Sequence, residues 1–200
     1  MVFRVRRGKR KVNENIFRFK VKNETAQDYL YWIKKLESLG WSFIAIVCDG
    51  ILWIRDRLNI PIQMCHFHQK KNIRKYLTKN PILEPNIKLN YLVYQLWNIS
   101  EQDFRRKLKE WRVKYDWFMK EKSYNYEGKW RYIHHRTRSA YNSLNRNLPY
   151  LFNYKNSTFD IPNTTNSIEW MFWQLKKKIR VHPWLRDDRK YKLVCYLLNS

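Results

Sequence analysis

The chain has 200 residues, with 41 Lys and Arg against 17 Asp and Glu, which gives a formal net charge of +24 and a pI near 10.1. An apolar content of 44%, with ten Trp, fourteen Tyr and ten Phe, is enough to bury a core and excludes a disordered basic tail; the four glycines exclude a glycine-rich linker, and no apolar run is long enough for a transmembrane helix. A surface of this charge repels itself, so a polyanion is the expected partner class rather than an acidic small molecule; the plain alternative is a solvated basic surface.

The first segment, Met1 to Lys11, is basic but has neither an apolar core nor a small-residue cleavage site, so no secretory signal is expected. Val2, Phe3 and Val5, the turn-like Arg7-Gly8-Lys9, and then Ile16, Phe17, Phe19 and Val21 predict a hairpin of two strands. Asn23 or Thr25 caps the next helix, in which Tyr29, Ile33, Leu36 and Leu39 recur at helical spacing and Gly40 supplies the stop. The continuous apolar run from Phe43 to Cys48 predicts a strand buried on both faces and parallel to its neighbour, ended by Asp49-Gly50. A short helix over about Ile51 to Leu58 and a brief strand over Ile62 to Met64 follow.

From Gln69 to Leu148 the pattern is helical almost throughout. Its stripes are Leu92, Leu96 and Ile99, then Phe104, Leu108, Trp111, Tyr115 and Phe118, then Trp130, Thr137, Tyr141, Leu144 and Leu148. Pro149 predicts a break. Pro162-Asn163-Thr164-Thr165-Asn166 announces a helix that carries Glu169, its start held by a run of cap-competent residues, and a last helix fills about Arg186 to Leu198. The fold class expected is therefore α/β, a small sheet interrupted by helices and closed by C-terminal helices. Positive charge concentrates in residues 1–22, 103–148 and 173–192, with nine, thirteen and eight basic residues against one, five and two acidic ones. The segments holding Asp49 and Glu169 are near neutral or acidic, as expected of a metal site flanked by a basic groove, although solvated helix charge explains any one stretch as well.

Asp49, at the C-terminal end of a buried strand, stands where α/β sheets place functional groups; taken alone it reads first as turn and cap chemistry, and only a second carboxylate changes that. Glu169, in the first turns of its helix, is a second carboxylate from a different element. Two such groups with a third would hold two Mg²⁺ or Mn²⁺ ions for phosphoryl transfer, whereas the plain alternative for Glu169 is a helix-dipole carboxylate. Cys65-x-x-His68 offers two soft ligands one helical turn apart. A structural zinc site needs four, and the spacings of His66, Cys48, His134, His135, His182 and Cys195 match no zinc-finger template, so zinc stays open beside core packing of Cys65. The three cysteines are too few and scattered for a disulfide framework, which fits a reducing cytoplasm.

From Lys22-Asn23-Glu24-Thr25 onward the chain resembles the catalytic region of bacterial mutator-type insertion-sequence transposases, in the variant with an N-terminal zinc-binding module. The resemblance is carried by Val47-Cys48-Asp49-Gly50, by Pro61-Ile62-Gln63-Met64-Cys65-His66-Phe67-His68, and by the stretches Trp130-Arg131-Tyr132 through Arg138-Ser139-Ala140-Tyr141 and Asn147 to Phe152. Ile161 to Glu169 completes it. It implies a ribonuclease H-like core with a mostly helical insertion, divided as 1–68 (strands and Asp49), 69–155 (insertion) and 156–200 (C-terminal helices with Glu169).

It further implies DNA transposition by metal-dependent strand cleavage and transfer through an Asp, Asp, Glu set. Asp49 matches the second Asp and Glu169 the Glu; Cys65 and His68 match a C-x-x-H element that organises the site. No Asp precedes Asp28, and Asp28 falls in a helix, so the resemblance implies that the first strand and the first catalytic Asp are missing and that the copy is partial or inactive. Glu14 or Glu24 would have to serve in a complete nuclease. Lys176, Lys177, Lys178 and Arg180 are expected to hold DNA and Asn166 to steady the site, and a non-catalytic DNA-binding remnant is the alternative. The expected partners are DNA, as transposon ends and target, and a further copy of the chain, with no membrane and a nucleoid-associated cytoplasmic location.

Overall fold

The computed structural model describes residues 2–7, 12–18, 25–50 and 57–199. The expected helix over Ile51 to Leu58 lies mostly outside the described residues, as do Asn23 and Glu24. The chain is a mixed α/β protein, mostly helical, and among the described residues its strands form three separate two-stranded sheets. It divides into two compact units: 1–42, 56–58 and 165–200 form one, and 43–55 with 59–164 form the other.

In the first unit, β1 (Val2–Arg7) and β2 (Val12–Arg18) pair antiparallel with a register shift between Phe3 and Arg4, the hairpin expected from the alternation. Helix α1 (Ala26–Ser38) starts at Thr25, whose hydroxyl accepts from the Asp28 amide while the Asp28 carboxylate accepts from the Thr25 amide at 3.0 Å. This reciprocal cap satisfies donors that the first turn leaves orphaned. It also engages the carboxylate of Asp28 in helix capping. Gly40, at φ +89°, ends the helix in a conformation that a Cβ would strain. Helices α8 (Asn166–Arg180) and α9 (Asp187–Asn199) pack through Met171, Leu175 and Leu198, with Ile168, Val194 and Leu197 against them.

The second unit starts from β3 (Ile46–Cys48) and β4 (Ile62–Met64), which pair parallel, Ile46 opposite Ile62 and Cys48 opposite Met64. The strand read over Phe43 to Cys48 is shorter than expected and only half-buried, whereas β4, which the helices over His135–Leu151 and Asn153–Asn156 cover, is buried along its length. Helices α2 (His66–Leu77), α3 (Glu84–Tyr94) and α4 (Glu101–Lys114), the short α5 (Asp116–Lys120), and α6 (His135–Leu151) with α7 (Asn153–Asn156) follow. The predicted stripes meet in one core: Leu92, Leu96, Ile99, Phe104, Leu108, Trp111, Tyr115, Phe118, Leu144 and Leu148 are all buried in it.

Two expectations are corrected here. The stretch from Gln69 to Leu148 is not helical throughout: β5 (Lys122–Tyr124) and β6 (Trp130–Tyr132) form an antiparallel hairpin between α5 and α6, which removes Trp130 from the helical stripe and exposes it. Pro149 does not break α6, which runs on to Leu151. The proline lies in the last turn, and that turn is held from outside. Gln63 donates to the Leu151 carbonyl at 3.0 Å and to the Met64 carbonyl at 2.8 Å, and His66 Nε2 lies 2.6 Å from the same Leu151 oxygen. A helix-end carbonyl that would otherwise be an orphan is satisfied by β4 and α2 side chains. Gln63 Oε1 in turn accepts from the Tyr154 amide, so β4 is pinned between α6 and α7.

Candidate functional site

Asp49 follows β3 directly and is exposed, in the strand-end position read from the sequence. Gly50 after it adopts φ +111°, and a Cβ there would stand 3.1 Å from Met64 Cε, so the turn that presents Asp49 needs glycine. Directly after the neighbouring strand β4, Cys65 donates its amide to the Cys48 carbonyl at 2.8 Å. The two sequence motifs therefore leave the same end of the same parallel pair. Cys65 is also the residue before α2, and its thiol lies within 4.8 Å of a ring nitrogen of His68, one turn on. Cys65 is buried and His68 half-buried. Two soft donors fit a hard ion such as Mg²⁺ poorly, whereas the exposed oxygens of Asp49 fit it well.

The remaining predicted residues belong to the other unit. Glu169 is half-buried in the first turn of α8, where its carboxylate accepts from the Thr165 hydroxyl at 2.8 Å. The expected cap is thus used differently: Thr165 precedes α8 with no side-chain bond to the helix backbone, because its hydroxyl is turned to Glu169. Asn166 is the exposed first residue of α8, and Lys176, Lys177, Lys178 and Arg180 are exposed along its last turns. Lys177 Nζ sits 5.5 Å from the centre of the exposed Trp173 ring. Glu14 is exposed on β2.

Sequence reasoning expected a basic groove but named none of the cations that line the one between α2 and α6. Between α2 and α6 lies a cavity of about 480 Å³, which begins at Gly50 and Met64 and is walled by Lys75 from α2 and by His135, Arg136 and Arg146 from α6. Ser139, Ser143, Asn72 and Asn147 supply its neutral polar lining, and among the described residues no acidic side chain lines it. Among the described residues Lys75, Arg136 and Arg146 form no ion pair with a carboxylate. Three arginines of α4 behave differently: Arg105 pairs with Glu101, Arg106 with Asp103 and Glu110, and Arg112 with Asp116 at the start of α5. These guanidinium groups are thus already matched by nearby carboxylates, whereas among the described residues the groove cations are not. The N-terminal end of α6, at His135 and Arg136, adds the positive end of a helix dipole.

The groove's floor is built firmly. Asn147 donates to Gln69 Oε1 at 2.6 Å and Gln69 reaches Ser143 at 3.4 Å, so buried amides tie α2 to α6 below the cations. A signal for it was present in the sequence: Arg136, Ser139, Ser143 and Arg146 recur at helical spacing, a polar stripe on one face of α6. No family model, curated protein or solved structure matches this chain.

Proposed function

We propose that this chain is a nucleic-acid-binding catalytic region of the mutator transposase type, in which the α2–α6 groove holds a phosphodiester backbone beside Asp49. The observation that carries the reading is the groove itself: three cations without carboxylate partners among the described residues, on a polar floor that starts at Gly50, one residue from Asp49. Phosphate oxygens are the ligand class that such a constellation recognises, because guanidinium and ammonium groups left unpaired in a cleft gain most from a polyanion. The ribonuclease H-like core stays part of this proposal; the parallel β3–β4 pair, with an Asp after β3 and a Cys-x-x-His turn after β4 at the same end, is what supports it.

Of the two carboxylates that the resemblance assigns to metal, Asp49 belongs to the unit that carries the groove. A divalent ion bound by such hard oxygens supplies charge neutralisation at phosphate and a more acidic attacking water or 3′-hydroxyl. The chain's own residues bind and orient: Lys75, Arg136 and Arg146 fix the backbone and Asp49 presents its carboxylate from a turn that Gly50 permits. A non-catalytic binder is the second reading, favoured by the engagement of the Asp28 carboxylate in helix capping.

The deciding experiment is incubation of the chain with duplex DNA and Mg²⁺ or Mn²⁺. Salt-sensitive binding is expected under both readings, and binding without cleavage favours the second. Cleavage that Asp49→Asn abolishes would decide for the catalytic reading, with another acid such as Glu14 or Glu24 in service beside Asp49. Failure to bind DNA at low salt overturns both readings.

A further inference from the structure

The hairpin β5–β6 is unclaimed by anything above. Its strands are three residues each, and its register sets Lys122 opposite Tyr132 and Tyr124 opposite Trp130, so these four side chains share one face. Tyr124 is 69% exposed and Trp130 51% exposed, and Tyr126 at the tip is 99% exposed. The tip is well built: Asn125 Oδ1 accepts from the amides of Glu127 and Lys129, the Gly128 amide donates to the Asn125 carbonyl, and Gly128 takes φ +76°. Lys122 Nζ stands 4.2 Å from the centre of the Trp130 ring, and Arg138 of α6 stacks its guanidinium 3.6 Å from that of Tyr132.

Cross-strand rings and cation–π contacts hold together a hairpin that would be marginal by itself, which accounts for Tyr132 and for one side of Trp130. They do not account for Tyr126, which has no place in the cross-strand pairs, or for the open areas of Tyr124 and Trp130. Flat rings interleaved with Lys122 and Arg131 are the composition that binds nucleobases on their faces and phosphates at their edges, whereas Lys129 is paired with Glu127 at 3.0 Å. Continuity strengthens the assignment, since only two residues separate β6 from His135, the first groove residue of α6.

We propose that the β5–β6 hairpin is a stacking platform for unpaired nucleotides, with Tyr124, Tyr126 and Trp130 as its base-contacting rings. The proposal rests on the nucleic-acid reading of the groove and adds a distinct substrate form, the single strand. A stacked base requires an unpaired face, so the platform distinguishes single strands from intact duplex, whereas the groove's phosphate contacts do not.

The test uses the full chain with a single-stranded oligonucleotide carrying 2-aminopurine and with a blunt duplex of the same sequence. Binding is expected to quench the 2-aminopurine. Trp130→Ala and Tyr126→Ala should each weaken single-strand binding about tenfold and reduce the quench, with duplex affinity unchanged and Trp130→Phe largely restoring both. Because Trp130→Ala removes a cross-strand contact, Tyr126→Ala serves as the variant that leaves the hairpin's pairing intact. Equal weakening of both DNA forms by Tyr126→Ala, or no change in either, overturns the platform. Single-strand binding with quench but no duplex binding by the unaltered chain would overturn the groove reading and leave the platform standing; binding of neither overturns both.

Discussion

His66 is fully buried beside Trp97, Phe152 and Tyr154, with its Nε2 against the Leu151 carbonyl. Burial lowers its pKa from the ordinary imidazole value; the Leu151 carbonyl opposes that shift and the nearby Lys155 charge adds to it. A histidine whose folded pKa is depressed contributes stability above the unfolded value, near 6.5, and that stability is lost as pH falls from there through the folded pKa. Urea midpoints should therefore be level just above neutrality and fall on acidification from about pH 6.5, at about 1.4 kcal/mol for each unit of depression. His66→Gln should flatten this step relative to the unaltered chain. A midpoint that rises between pH 7 and 5 would contradict the assignment. In the sequence His66 was one soft ligand among several. Its role depends on a carbonyl 85 residues away, which no local spacing reveals.

Elements whose boundaries are set by local chemistry were legible. Helix α1 follows from Thr25 and its apolar spacing, β4 from Ile62 to Met64, and α8 and α9 from their turns and periodicity. Elements decided by partners were not. Pro149 signals a break, but α6 keeps its last turn because Gln63 and His66 satisfy the Leu151 carbonyl from outside. The β5–β6 hairpin escaped because three-residue strands give too short an alternation to separate from helical stripes, although Asn125 and Gly128 were turn residues in plain view. Gln63→Ala tests the external support. It orphans the Tyr154 amide and leaves the Leu151 carbonyl with one donor, at a cost of about 2–4 kcal/mol including the space left behind. A thermal or urea measurement showing less than about 1 kcal/mol would mean that water replaces the amide.

Net charge alone made a polyanion the expected partner; the structure divides that charge by what each cation already touches. The basic stretch 103–148 reads as one block in sequence, yet Arg105, Arg106 and Arg112 of α4 are matched by acids three or four residues away, while Arg136 and Arg146 of α6 face the groove with Lys75, which lies outside all three stretches. A phosphate contact releases condensed counterions, so the dependence of affinity on salt counts those contacts. Lys75→Ala and Arg146→Ala should each reduce the slope of log affinity against log salt by about one, uniformly across DNA sequences. Arg106→Ala removes the same formal charge from α4 and should leave the slope unchanged, since Arg106 is held by Asp103 and Glu110. If the three substitutions lower the slope equally, the protein binds through its overall charge, and the α2–α6 groove has no special place in holding DNA beside Asp49.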